Sequence, residues 1–125
     1  MAELLARKGD YAGAEPLFRR VLESHRRVSG PEHPDTLVYL NNLAVLLKMK
    51  GDYANAEALF RRALEALLKT SAATGRPHPN LQSILGNYAG CLEKQGRSRE
   101  AIRNNLEAMM RPSGFSLDDG GQVRP

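Results

Sequence analysis

The sequence contains one cysteine, Cys91, so no disulfide can close within the chain. That usage fits a reducing compartment, and the cytoplasm is the expected location. No run of eighteen apolar residues occurs, so no transmembrane span is expected. The opening residues, MAELLARKGDY, lack a long apolar stretch and a small-residue cleavage site, so no secretory signal is expected there. Cys-x-x-Cys, Gly-x-x-x-x-Gly-Lys-Ser/Thr and His-Glu-x-x-His are all missing, and with them the simplest redox, phosphate-binding and zinc-protease chemistries. Excess charge of one sign is scarce. The 18 basic and 14 acidic residues leave +4, too little over this length to name a partner. What is present is material for a core: 42% of 125 residues are hydrophobic, enough for one domain.

The chain repeats itself. GDYAGAEPLFRRVLESHRR (9–27) returns forty-two residues later as GDYANAEALFRRALEALLK (51–69), with twelve of nineteen positions identical. Ala56, Leu59, Phe60, Ala63, Leu64 and Leu67 step by three and four, the period of one helix face. The earlier copy gives Ala14, Leu17, Phe18, Val21, Leu22 and His25. Glu15 with Arg19, Glu57 with Arg61 and Glu65 with Lys69 put opposite charges four residues apart on the other face. A second stripe, Leu40, Leu43, Ala44 and Leu47, precedes the second copy and ends at Gly51, a helix stop. The unit is therefore helix, Gly-Asp-Tyr turn, helix. The connections VSGPEHPD (28–35) and SAATGRPHPN (71–80) each end in His-Pro followed by Asp or Asn, which suits the start of the next helix.

A weaker third unit runs from Leu81 to Met110. Leu85, Tyr88, Ala89 and Leu92 align with Leu40, Leu43, Ala44 and Leu47 at an offset of forty-five. At the same offset Gly96 matches Gly51 and Ala101 matches Ala56, and Asn104 and Asn105 replace the Leu59–Phe60 pair. Six helices are expected, over about 2–8, 10–27, 34–50, 53–70, 80–95 and 98–110. The units cover about 1–27, 34–70 and 80–111, the first of them truncated. Residues 112–125 are aperiodic and heavy in Gly, Pro and Asp, and are expected to form a disordered tail.

The stretch GPEHPDTLVYLNNLAVLLKMKGDYANAEALFRRALE (30–65) resembles the tetratricopeptide repeat family, most closely the forty-two-residue variety of kinesin light chains. The likeness covers nearly all of residues 1–111. Small residues recur where paired helices cross: Ala44 and Ala89 in first helices, Ala14, Ala56 and Ala101 in second ones. Tyr11 and Tyr53 follow the turns and can plug the end of each pair. The resemblance implies an all-α, right-handed superhelical stack of antiparallel helix pairs, an α-solenoid, because one pair cannot bury its apolar stripe alone. It also implies protein–protein interaction as the function.

Residues with chemistry fall into that scheme. His33 and His78, each just before a proline, are read as helix-start geometry repeated with the unit rather than as a metal or acid–base pair. His25 sits on a core stripe, and Cys91 takes the place of Leu46 and is expected to be buried. No catalytic residue, metal ligand or cofactor is assigned, and a non-enzyme is expected. The opposite arc of the first helix in unit two carries Val38, Asn41, Asn42, Val45, Lys48 and Met49. In unit three this arc reads Ser83, Gly86, Asn87, Gly90 and Lys94; in unit one, Glu3, Ala6 and Arg7. The resemblance implies that Asn42 and Asn87 match an asparagine recurring in peptide-gripping members of the family. An amide both donates and accepts, so it can pair with a peptide unit of any sequence. Arg7, Lys48 and Lys94 can hold a carboxylate.

The expected function is a scaffold that binds a peptide or helix of a partner in the concave groove, through Asn41, Asn42, Asn87, Val45, Lys48, Lys94 and Arg7. The alternative from another class is RNA binding, as in related helical-repeat families. Against nucleic acid, many arginines lie beside glutamates on second helices and no aromatic lines the inner arc for stacking. No membrane partner is expected. The short first helix leaves Leu17, Phe18, Val21 and Leu22 wanting cover. The chain is accordingly expected to be the C-terminal piece of a longer array or to self-associate through its N-terminal end.

Overall fold

The computed structural model describes residues 11–30 and 33–124. Five helices follow one another: α1 (Tyr11–Ser29), α2 (Pro34–Met49), α3 (Tyr53–Thr74), α4 (Leu81–Lys94) and α5 (Arg99–Met110). A 3₁₀ turn (Arg111–Ser113) and a small hairpin, β1 (Ser116–Leu117) and β2 (Val123–Arg124), complete the described chain. The expected helices from residue 10 onward are all present. The expected helix 2–8 lies outside the described residues, with Met1, Leu4, Leu5 and Arg7.

The two connections repeat one histidine contact, although His33 is itself the N-cap of α2 and His78 lies two residues before the N-cap Asn80 of α4. His33 Nδ1 accepts the Asp35 amide at 3.1 Å and His78 Nδ1 accepts the Asn80 amide at 3.0 Å. Each imidazole thus satisfies a backbone donor that a helix start leaves unpaired. The helix ends repeat as well. Gly51 and Gly96 have φ of 87° and 89°, a left-handed conformation that costs glycine no Cβ clash. Beyond them, the Asp52 amide bonds back to Leu47 O at 2.9 Å, and the Arg97 amide to Leu92 O at 3.3 Å. This six-residue closure satisfies a last-turn carbonyl.

Between these anchors the core is continuous. Leu43 and Leu46 of α2 share a cluster with Ala14 and Phe18 of α1. Leu40, Ala44 and Leu47, from the other side of α2, join Ala56, Phe60, Ala63 and Leu64 of α3. The same cluster runs on into Ile84, Leu85, Tyr88 and Leu92 of α4. Ala44 and Ala56 are both 0% exposed, as a close crossing requires. Tyr53 packs against the main cluster and Tyr11 against the smaller one. His25 stacks on Tyr39 with ring centroids 4.2 Å apart. On α1, Leu17 and Leu22 are half-buried and Val21 is 37% exposed, so that face is only partly covered among the described residues.

Two expectations are corrected. In the third unit the second helix is shifted by one residue. The Ile102 amide bonds to Ser98 O at 3.0 Å, as the Ala56 amide bonds to Asp52 O at 3.1 Å. Ile102, Leu106 and Met110 are buried, at an offset of forty-six from Ala56, Phe60 and Leu64, whereas Ala101 is exposed. An extra residue sits between the Gly96 closure and the new N-cap Ser98, whose hydroxyl accepts the Ala101 amide at 3.2 Å. Ile102, not Ala101, occupies the crossing, and Leu106 keeps the core place that Asn105 was expected to lose.

The second correction concerns residues 112–125, expected to be disordered. They fold back on the third pair, because Phe115 and Leu117 find apolar cover, 5% and 8% exposed. The strands pair antiparallel, Ser116 with Arg124 and Leu117 with Val123. Asp118 Oδ1 ties the turn by accepting the Gly120 and Gln122 amides at 2.9 and 2.8 Å.

Candidate functional site

The two first helices, α2 and α4, place the predicted binding residues on one face. Leu40, Leu43, Leu47 and their buried neighbours in α2, and Ile84, Leu85, Tyr88 and Leu92 in α4, are held by the core, and the remaining arc is less buried. Val38, Asn41, Asn42, Val45 and Lys48 are half-buried there, and Met49 is exposed. From α4, Asn87 and Gly90 are half-buried while Ser83, Gly86 and Lys94 are exposed. Arg7 lies outside the described residues.

Asn87 Nδ2 donates to Asn41 Oδ1 at 3.3 Å, a direct link between successive first helices. The sequence paired Asn87 with Asn42 by repeat position. In space its neighbour is Asn41, one residue earlier. Asn42 makes no side-chain hydrogen bond among the described residues. The bridge uses one donor and one acceptor of two amides, which leaves further donors and acceptors on both side chains free for another group.

Lys48 reaches across the same face. A Cβ on Gly90 would lie 2.7 Å from Lys48 Nζ, so the missing side chain makes the lysine's seat. Among the described residues Lys48 has no ion-pair partner. Lys94 is exposed at the end of α4 and is not brought to Lys48 by any contact seen here. The face therefore offers an amide pair, a cation and the apolar flanks Val38 and Val45.

Beneath it lie two buried groups without catalytic surroundings. The Cys91 thiol donates to Tyr53 O at 3.2 Å, and burial, with a smaller push from Glu57, raises its pKa. A thiol held protonated is a poor nucleophile. The Tyr88 hydroxyl is buried with no partner among the described residues, and burial likewise raises its pKa. No cluster of three or more potential metal ligands exists among the described residues. No helix among them is long and apolar enough to cross a membrane.

Ion pairs brace the frame around this face. Lys50, in the turn after α2, donates to Glu15 of α1, which also pairs with Arg19 at 3.1 Å. Arg97, in the turn after α4, meets Glu57 of α3 at 3.4 Å. Each joins one unit's turn to a preceding second helix, and so ties neighbouring units together. The sequence did not signal these two contacts, because their partners are far apart along the chain.

A family model described as tetratricopeptide repeat matches residues 1–69. No curated protein matches the chain.

Proposed function

Because the chain belongs to the tetratricopeptide repeat family, whose members are in general protein–protein interaction modules, we propose that it binds an extended segment of a partner protein along the face of α2 and α4. The observation that carries this reading is the Asn41–Asn87 amide bridge with Lys48 beside it. Amides suit a backbone whose side chains vary, because each peptide unit offers one donor and one acceptor. Lys48 adds preference for a carboxylate, from a side chain or a chain terminus. Val38 and Val45 supply apolar contact.

The test is selection of peptides from a random library on the intact chain, followed by titration against variants. Asn41→Ala with Asn87→Ala removes hydrogen bonds worth about 0.5–1.5 kcal/mol each. Together that is about 1–3 kcal/mol, roughly a five- to 150-fold loss of affinity. Lys48→Ala should weaken acidic peptides more than neutral ones. Unchanged titrations in folded variants refute the placement. Single-stranded RNA titrated in parallel, bound tightly and lost in the same variants, would replace peptide by nucleic acid.

A further inference from the structure

The hairpin is fastened to α4 and α5 in an unusual way. Gln82 of α4 makes two hydrogen bonds to it: Nε2 donates to Gly121 O at 2.9 Å and Oε1 accepts the Val123 amide at 2.8 Å. Arg103 of α5 donates to Asp118 O and to Leu117 O, both at 3.0 Å. All four bonds go to main chain. None reads the identity of a hairpin side chain. The side-chain recognition left is apolar: Leu117 enters a groove lined by Leu85, Ala89, Ile102 and Leu106.

The groove has a cause in the sequence. Unit two has Ala44 and Ala56 buried in one cluster, whereas unit three has the larger Ile102 in the place of Ala56, and Ala89 and Ile102 both line the opening between α4 and α5. Leu117 fills part of the opening, and a cavity of about 230 Å³ remains beside it.

We propose that the α4–α5 groove is a second peptide-binding site, for a turned segment with a bulky apolar residue, and that the hairpin is its resident ligand, displaced when a partner segment of that chemistry arrives. The four fastening bonds reach Leu117, Asp118, Gly121 and Val123, on both strands and the turn between them, and would form with the main chain of any segment that turns in the same way. The unfilled space admits an anchor larger than leucine. Asn41, Asn42, Asn87 and Lys48 do not line this groove, so the site stands apart from the proposed binding face.

The probe is a fluorescent peptide with the sequence of residues 114–124, titrated into full-length protein. Leu117→Asp in the protein ejects its own anchor, and Gly114→Val strains the turn that leads into the hairpin, at a φ of 83° and outside the residues that line the groove. The labelled peptide should bind each variant at least tenfold tighter than the unmodified chain. A peptide carrying the same Leu→Asp change should bind neither. Excess native peptide should also speed hydrogen exchange at the Val123 amide of the unmodified chain. Folded variants that ignore the peptide overturn the proposal. So does loss of helical content in both variants, which would make the hairpin an integral part of the core.

Discussion

Ala56→Leu tests the helix crossing on which the stack rests. Ala56 is 0% exposed and lies in the main core cluster with Ala44 and Phe60. No space exists for a longer side chain there, so the helices must move or neighbours must leave their rotamers, at about 1–3 kcal/mol. For 125 residues the unfolding entropy is about 0.26 kcal/mol per kelvin, from roughly 2.1 cal/mol/K per residue. The melting temperature should therefore fall by roughly 4–12 °C. Ala101→Leu is the paired control. Ala101 is exposed, so that change should stay within about 0.5 kcal/mol, or roughly 2 °C. Ile102→Ala, by contrast, removes a buried side chain and should cost about 2–5 kcal/mol. Thermal melts followed at 222 nm read all three. Ala101→Leu as damaging as Ala56→Leu, with Ile102→Ala harmless, would refute the forty-six-residue register.

Tyr88→Phe should raise the melting temperature, since a buried hydroxyl without a partner costs about 1–3 kcal/mol; a clear fall would show that the hydroxyl is bonded. The Lys50 hydrogen bond, the largest cause, lowers the pKa of Glu15 below its ordinary 4.5. A depressed carboxylate contributes stability above about pH 4.5 that is lost as pH falls through the folded value, so Lys50→Met should shrink the acid-side loss; unchanged pH dependence of denaturation midpoints would argue against it. Cys91 should resist a thiol-reactive dye in the native protein and react once denaturant is added, with prompt native labelling as the contrary result. Sedimentation at micromolar concentration should show a dimer or larger species formed over the partly covered α1 face, and a clean monomer would end that expectation.

The repeat, its helix pairs and its glycine turns were legible because they rest on local rules: a 3.6-residue apolar period, a left-handed closure and a proline start. The burial of Cys91 followed from the same alignment. The register of α5 did not, because Ala101 and Ile102 are both apolar and Gly96 aligns cleanly with Gly51. The hydrogen bonds of Ser98 and the burial of Ile102, Leu106 and Met110 distinguish the two frames. The hairpin was illegible for a different reason. Its strands are two residues each, too short to show any period, and its order depends on Gln82 and Arg103, which lie far back in the chain. On the binding face, alignment put Asn42 and Asn87 at equivalent places. Stacked helices meet at staggered positions, so the contact is made by Asn41 instead.

The extra residue before Ser98 lengthens the turn without changing the phase of α5. Ile102 follows the N-cap Ser98 by four residues, as Ala56 follows Asp52. One residue turns a helix by about 100° about its own axis. Had Arg97 been the N-cap, Ala101, Asn105 and Ala108 would look inward, and Leu106 and Met110 would turn away from the core. The stripe is thus counted from Ser98, not from Gly96. Removing Arg97 alone would restore the spacing of unit two with the stripe still in its seat, at the loss of the Glu57 ion pair. A residue added or lost between Ser98 and Ile102 would instead swing the whole stripe off the core. Variation is therefore tolerated in the turn ahead of the N-cap and constrained along the helix that follows.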